Sequence, residues 1–423
     1  MSDKRIGLMV AAALCLTQAT ALAAPGDLDP TFGGDGVVHT NLSSDRGGRD
    51  TAFGLALQSD GSIVVVGRAG PRFGVVRYAA DGTLDDGFGE GGKVRTDVGP
   101  GPDVATDVAL QSTGRIVVVG TSTGPGGGFA VVRYRANGTL DPSFGDHGAV
   151  LTSFPGADEG AMDVAIDGED RIVVVGHSGG AFVTARYETD GRLDDSFSAD
   201  GVARTNLTNR KDVAAAVAIQ ADGAIVVVGT ARFEPGGAGQ RWAEVRYVES
   251  GQLDDTFHLD GVRIEELSSY GNVAFDVAIG NDGQILVVGT SGVGGFDTDT
   301  RSGMIQLDPS GQLDPSFSTE GTRSLNVTNR PDTATSVVVQ DDDDIVMAGV
   351  SGAGGPFLPR AWVVRFQPDG DLDHTFSDGV VTTDPAAARI ANDVAIQPDG
   401  AVVIVGRAGA RSATFATLRL LGA

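Results

Sequence analysis

The sequence predicts an all-β fold: a seven-bladed β-propeller with four antiparallel strands per blade, the ring closed by the N-terminal strand pairing into the last blade. Three observations predict it. The motif Gly-x-Leu-Asp-x-x-Phe recurs seven times, starting at Gly26, Gly82, Gly138, Gly191, Gly251, Gly311 and Gly370, at spacings of 56, 56, 53, 60, 60 and 59 residues. A steady period of this size signals units that bury their faces only against their neighbours. Each period also carries four short strand patterns and no sustained helical periodicity, as a propeller blade requires. Finally, the pattern is permuted at the chain ends, and the permutation is what a closed ring needs.

Within each unit the strands can be justified in order. Strand A is an alternating segment, as in residues 107–111. An Asp-Gly turn often follows (Asp60-Gly61, Asp222-Gly223, Asp282-Gly283, Asp399-Gly400), and glycine accepts the positive φ of a tight hairpin. Strand B is an unbroken apolar run ending in glycine: residues 63–67, 116–120, 172–176, 225–229, 285–289, 345–349 and 402–406. Branched residues without alternation mean a strand buried on both faces. Strand C reads aromatic-x-x-Val-Arg-Tyr, as in residues 129–134, and strand D follows Phe-Gly, as in residues 36–40. The last unit stops at strand C, in residues 415–420, and its missing D strand stands at the other end, in residues 37–40. Pairing the two leaves no sheet edge open in the ring.

Residues 1–23 read as a secretory signal. Lys4 and Arg5 precede an apolar run over 6–16, and Ala21-Leu22-Ala23 is a small-x-small cleavage site. The run is shorter than the ~20 residues a membrane span needs. The only cysteine, Cys15, lies inside it. A processed chain over 24–423 then has no thiol for a disulfide, a nucleophile or a metal and forms one propeller domain. An extracytoplasmic location, periplasmic or secreted, follows. With 31 basic and 56 acidic residues the net charge is −25, which argues against nucleic acid and anionic membrane as partners. No later stretch predicts a membrane span. The closed ring and high charge predict a monomer.

The repeated Val-Ala-x-Gln-x-Asp-Gly-x-Ile-Val-Val-Val-Gly core and Asp-Gly-x-Leu-Asp-x-x-Phe-Gly tail resemble the delta-60 repeat family of bacterial proteins. The resemblance covers residues 26–421. It implies a β-propeller without an assigned activity and supplies no catalytic residues. Two places depart from the pattern: Asp341 to Asp344 replace the Asp-Gly turn, and residues 303–307 replace the strand C motif.

What recurs in every unit is expected to be structural. Leu28 and Phe32, with their equivalents through Leu372 and Phe376, should anchor the core. The motif aspartates (Asp29, Asp85, Asp141, Asp194, Asp254, Asp314, Asp373) should cap turns, with the strand C arginines (Arg77, Arg133, Arg186, Arg246, Arg365, Arg419) as partners. Trp242 and Trp362 fall in the aromatic column of Phe73, Phe129, Phe182 and Phe415, as core.

Function is expected where units differ. From the strand B glycine to the start of strand C the loops hold 5, 8, 5, 12, 13, 12 and 8 residues. The three long ones, on adjacent blades, carry Arg232, Phe233 and Arg241; Phe296, Asp297, Asp299 and Arg301; and Phe357 and Arg360. They predict an asymmetric ligand-binding patch on the face of the B–C and D–A loops. The alternative is that each phenylalanine tucks its own loop down. A second candidate is acidic. Asp107, Asp163, Asp276 and Asp393 begin strand A, with Asp50, Asp103, Glu159, Asp212 and Asp332 four residues before that position. Both sets are expected to ring one channel mouth, where several carboxylates could hold Ca²⁺ or simply cap turns.

No nucleophile elbow, phosphate loop or His-rich metal spacing is present, and of five histidines only His177 falls on the loop-rich face. The reading is therefore a secreted binding scaffold for a protein or glycan partner, with no cofactor demanded. The alternative is a propeller hydrolase or lyase acting on extracellular polysaccharide, possible with metal assistance.

Overall fold

The computed structural model describes residues 23–43, 50–155, 158–233, 239–268, 270–292, 300–328, 330–352, 358–409 and 413–422. The signal segment over 1–22 therefore lies outside the described residues. Seven four-stranded antiparallel sheets follow one another around a ring. Blade 1 is β2 (Thr51–Leu57), β3 (Ile63–Ala69), β4 (Arg72–Tyr78) and β5 (Lys93–Thr96). Blade 2 is β6 (Asp103–Leu110), β7 (Ile116–Ser122), β8 (Gly128–Tyr134) and β9 (Ala149–Thr152). Blade 3 is β10 (Gly160–Ile166), β11 (Ile172–Ser178), β12 (Ala181–Tyr187) and β13 (Val202–Thr205). Blade 4 is β14 (Val213–Ile219), β15 (Ile225–Arg232), β16 (Gln240–Tyr247) and β17 (Val262–Glu265). Blade 5 is β18 (Tyr270–Ile279), β19 (Ile285–Gly292), β20 (Thr300–Leu307) and β21 (Thr322–Leu325). Blade 6 is β22 (Asp332–Val339), β23 (Ile345–Ser351), β24 (Arg360–Phe366) and β25 (Val380–Thr382). Blade 7 is β26 (Ile390–Ile396), β27 (Val402–Ala408), β28 (Thr414–Leu420) and, from the other end of the chain, β1 (Val37–Thr40).

β1 pairs β28 in the register Val37↔Leu418 to Thr40↔Phe415. The expected closure is therefore present. Residues before β1 fasten it further: Gly26 N donates to Leu421 O, and Leu421 N to Asp27 O, both at 2.9 Å.

The core is seven slabs, each shared by two adjacent blades. Ile63 and Val65 of β3 pack toward blade 7, with Val403, Val405 and Phe415, whereas Val64 and Val66 pack toward blade 2, with Val108, Val118 and Phe129's neighbour Ala130. Both faces of strand B are buried, as its unbroken apolar run requires. No blade has a second place to bury these faces.

The tail motif ties each blade to the next. In all seven units the motif aspartate's amide donates to the carbonyl of the strand C residue at the arginine position, for example Asp194 N to Arg186 O at 2.9 Å. Its carboxylate does two jobs. One oxygen caps the amide two residues on, as Asp194 does for Ser196 at 2.9 Å. In blades 1 to 4 and 6 the other accepts from the arginine Nε, at 2.6 Å for Arg186 and Asp194 and 2.7 Å for Arg246 and Asp254, and in blade 7 it meets Arg419 Nη1 at 2.8 Å. In blade 5 Gln306 replaces the arginine and donates to Asp314 at 3.0 Å. The guanidinium then lies over the motif phenylalanine, 4.8 Å from the Phe197 ring centre for Arg186. It also reaches a carbonyl in the next blade, Glu249 O at 2.6 Å. Phe197 itself presses on the next motif glycine: a Cβ added to Gly251 would meet its ring at 2.8 Å. Gly251 also has φ +82°, so any side chain there is both strained and obstructed.

Two sequence expectations need correcting. Trp362 is fully buried, but not in the aromatic column. It pairs with the strand B glycine Gly349, whereas Phe73 and Trp242 pair one residue beyond it, with Arg68 and Thr230. The ladder register is unchanged, Arg365 pairing Val346 as Arg77 pairs Val64, but Trp362 stands three residues before its arginine where Phe73 and Trp242 stand four, so it points to the opposite face. Trp362 accordingly packs back toward blade 5, beside Leu286 and Met304, while Trp242 packs forward and donates to Thr290 O at 3.1 Å. The B–C loops are also shorter than counted, because the ladder runs past the glycine: Ala69 still pairs Arg72.

Two outcomes test this architecture. Removing residues 24–41 should open blade 7 and lower the thermal midpoint far more than trimming an exposed tail, read by circular dichroism. Arg186→Ala should cost about 3 kcal/mol in denaturant unfolding, because it leaves buried Asp194 with only the more distant Arg171, 3.8 Å away, as a cation.

Candidate functional site

The structure separates the two acidic sets that sequence spacing placed together. Asp50, Asp103, Glu159, Asp212 and Asp332 lie under the D–A loops and hold their backbone. Asp50 accepts from Leu42 N and Ser43 N at 2.8 and 2.9 Å, Asp103 from Val98 N at 2.7 Å, Glu159 from Phe154 N at 3.0 Å, and Asp332 from Thr328 N at 2.9 Å. Four of these, all but Glu159, are fully buried. They are the turn caps anticipated as the alternative.

The other four line the inside of the ring, where strands β2, β6, β10, β14, β18, β22 and β26 neighbour one another in a closed circle. Every one of these inner strands has a β-bulge at the same place, after Ala52, Ala105, Ala161, Ala214, Ala274, Ala334 and Ala391. A bulge breaks the ladder locally and leaves one amide per blade needing an acceptor: residues 55, 108, 164, 217, 277, 337 and 394. Four carboxylates serve all seven. Asp393 accepts from its own blade's Val394 N at 2.7 Å and the next blade's Leu55 N at 2.8 Å. Asp163 does the same for Val164 N at 2.8 Å and Val217 N at 2.7 Å. Asp276 takes Val277 N and Val337 N, both at 2.8 Å. Asp107 takes Val108 N and reaches Val164 N at 3.2 Å. The blades without an aspartate carry Gly54, Ala216 and Ser336 at this position, and each follows a blade that has one.

Crowding these carboxyls raises their pKa values. Burial is the main cause for all four, pushing Asp393 up to about 6. Asp107 and Asp276 are pushed well above the usual carboxylate range, burial being joined by the negative charge of Asp163 and Asp393. Asp163 is raised as well, chiefly by burial, with Asp107 and the Val217 and Val164 amides opposing the rise. Among the described residues no group of three or more His, Cys, Asp or Glu is arranged to hold a metal; these carboxylates are occupied by backbone amides.

On the loop face, residues from blades 3 and 4 converge. Arg232 ends β15 and Arg241 belongs to β16, so both sit on strands, not in the loop as the sequence count had them. Arg301 and Arg360 likewise lie in β20 and β24. Phe233 is 40% exposed, and Arg241 stacks on its ring at 4.6 Å while pairing Glu266 at 2.7 Å. Phe233 N closes its loop on Gly239 O at 2.9 Å. Arg210 Nε donates to Phe233 O at 3.1 Å. Arg301 and Arg360 form no ion pair among the described residues, and Phe296, Asp297, Asp299 and Phe357 lie outside them.

A hollow of about 670 Å³ opens beside Phe233, lined by Asn206, Leu207, Thr208, Asn209, Arg210 and Arg232. A second, of about 730 Å³, shares the 206–210 loop and adds Asp158, Gly180 and Lys211. Asp158 and Lys211 form an ion pair. His177 sits behind them, its pKa lowered chiefly by burial and further by the Lys211 and Arg232 charges, with Asp158 opposing. Its buried Nδ1 has no hydrogen-bond partner among the described residues. Sequence reasoning noted His177 but not Asn206, Asn209 or Arg210, since no motif marks a D–A loop. Glu244 on β16 was also missed: it is fully buried with Arg263 3.9 Å away, and burial pushes its carboxyl up to about 8.

Residues 58–88, 111–144, 170–197 and 280–317 match the family model described as a domain of unknown function (DUF5122) beta-propeller. Part of this chain is thus similar to a β-propeller repeat family of unknown function. Each matched segment ends on a motif phenylalanine, Phe88, Phe144, Phe197 or Phe317. No curated protein matches by sequence. Among solved structures, virginiamycin B lyase from Staphylococcus aureus aligns with TM-score 0.53 at 11% identity, covering 91% of this chain and 99% of that one. A catalytically inactive variant of the same lyase with quinupristin aligns with TM-score 0.55 at 12% identity and the same coverage. At such identity the likeness is one of fold alone.

The inner ring makes a pH prediction. Between the unfolded value near 3.8 and the raised folded values, the native state binds more protons than the unfolded one. Stability therefore falls as pH rises through this window, which for Asp393 ends at about 6. The corner aspartates act oppositely. Burial opposes ionisation of Asp141, but Ser143, Arg115 and Arg133 outweigh it and hold the group at about 2, so its contribution is lost as pH falls below the usual range. Urea unfolding against pH should show a maximum near pH 4–5, and Asp393→Asn should flatten the descending limb above it.

Proposed function

We propose that this protein is an extracytoplasmic binding propeller of the delta-60 repeat kind, exported by residues 1–23 as one domain over 24–423, that engages a protein or glycan partner on its B–C and D–A loop face. The observation that carries this reading is the contrast between the two faces. On one, the A–B and C–D turns repeat the same hydrogen bonds blade after blade, as Gly61 N to Gln58 O and Gly114 N to Gln111 O show at 2.9 and 2.8 Å. On the other, the loops differ in length and sequence and border the two large hollows of blades 3 and 4. A rigid frame with one variable face is how binding specificity is commonly built.

The polysaccharide hydrolase or lyase reading has one group to build on, His177. Burial keeps it neutral near pH 7, as a general base must be, and the lyase above shares the fold. Fold likeness does not carry chemistry across.

Screening immobilised glycans and extracytoplasmic proteins tests the binding reading. A partner that binds wild type should be lost with Phe233→Ala plus Arg241→Ala and retained with Asp342→Ala on the opposite face. Equal loss with both variants would remove the loop face from consideration. Steady turnover of a polysaccharide that disappears in His177→Ala would replace the binding reading with the enzymatic one.

A further inference from the structure

We propose that the hollow between Arg210 and Arg232 is an oxyanion site that takes the carboxylate or sulfate group of an acidic oligosaccharide. The proposal rests on the binding reading above and names its ligand class.

The chain carries 25 net negative charges, so its general field repels anions. Anion recognition is favoured where carboxylates are few, and the described lining of this hollow fits that condition. No Asp or Glu is among its described lining residues. Four other hollows of the described surface each include at least one carboxylate: Asp282 and Asp343, Asp170 and Asp190, Asp158, or Asp341 and Asp342. The nearest acid beneath, Asp212, is fully buried. It already accepts hydrogen bonds from Leu207 N, Thr208 N, Thr208 Oγ1 and Arg232 N, at 2.7–3.1 Å.

The cations are available. Neither Arg210 nor Arg232 is in an ion pair among the described residues, in contrast to the corner arginines. Arg232 Nε is buried and has no hydrogen-bond partner there, and a buried guanidinium donor left unmatched is costly. That Nε is closed to a ligand, but Arg232 itself lines the hollow and is only half-buried, and a planar guanidinium suits the two oxygens of a carboxylate or sulfate. Both arginines are held in place. Arg210 is fixed by Thr208 Oγ1 at its own amide (3.1 Å) and by Phe233 O at Nε (3.1 Å), and Arg232 by Asp212 at its amide.

Beside the charge pair the hollow offers what a sugar needs. Asn206 and Asn209 are exposed amides on its rim, and Phe233 gives one apolar wall. Charge at one end, amides and an aromatic edge at the other, fit a saccharide bearing an acidic group better than a free inorganic ion.

Calorimetric titration of the purified protein at low salt tests this, with trigalacturonate, a sulfated disaccharide, maltotriose and inorganic sulfate as probes. At least one acidic saccharide should bind saturably, roughly tenfold or more tighter than maltotriose, and weaken as salt is added. Arg210→Gln and Arg232→Gln should each lose roughly tenfold to a hundredfold in affinity, the range for a charged hydrogen bond. Arg192→Gln, which removes the same charge at an exposed turn, should bind as wild type. Arg210 is exposed, so its variant reports even if Arg232→Gln proves unstable. Equal binding of acidic and neutral saccharides, or full affinity in Arg210→Gln, would overturn the oxyanion assignment. Sulfate binding as tightly as the saccharides would overturn the glycan part of it. A neutral glycan or protein partner lost with Phe233→Ala but indifferent to Arg210 would sink this proposal and leave the loop-face reading standing.

Discussion

Every blade of this protein is buried on both faces, and no blade can satisfy that alone. This constraint governs the rest of the molecule. A strand such as β3, with Ile63 and Val65 facing one neighbour and Val64 and Val66 the other, has no solvent side. The sheets must therefore form a ring, and the ring must have no open end. The Asp–Arg–Phe corner is the repeated answer to how one blade holds the next. A buried carboxylate both shapes its own turn and fixes an arginine, and that arginine reaches across to a carbonyl of the following blade. Burying such a pair is not in itself a net gain. Its value here lies in orientation, since it sets the angle at which neighbouring slabs meet.

The inside of the ring solves a different problem. Inner strands curve tightly and carry a bulge apiece, so seven amides face a narrow space without ladder partners. Four aspartates suffice because each reaches two blades. The arrangement explains why the position tolerates Gly54, Ala216 and Ser336 in three blades: the preceding aspartate already serves them. Gly54 is more than tolerated, since a Cβ there would meet Asp107 Oδ1 at 2.5 Å. Concentrating buried carboxyls in this way disfavours their ionisation.

With the frame repeated and rigid, the loop face is free to differ among blades. Blades 3 and 4 show what that freedom builds: a buried acid under the 206–210 loop, two arginines fixed by backbone contacts, and an aromatic stacked on a third. The same residues could not be read as a site from spacing, because Arg210 lies in a D–A loop and Arg232 at the end of strand β15, and they meet only when that loop folds beside the B–C hairpin.

The period, the four strand patterns, the buried B strands and the ring closure were all legible in the chain itself, as were the corner pairs such as Arg186 with Asp194. These depend on local pattern repeated seven times, and repetition makes each position report its role. What only tertiary structure decided is where the pattern breaks or where blades meet. Arg232 and Arg241 read as loop residues, yet the ladder extends past the glycine and places them on strands. Asp107, Asp163, Asp276 and Asp393 read as ligands or turn caps, yet their partners include bulge amides of adjacent blades, 54 to 61 residues away or, for Asp393 and Leu55, 338. Sequence determines what each blade is made of; contacts between blades exist only once the ring has closed.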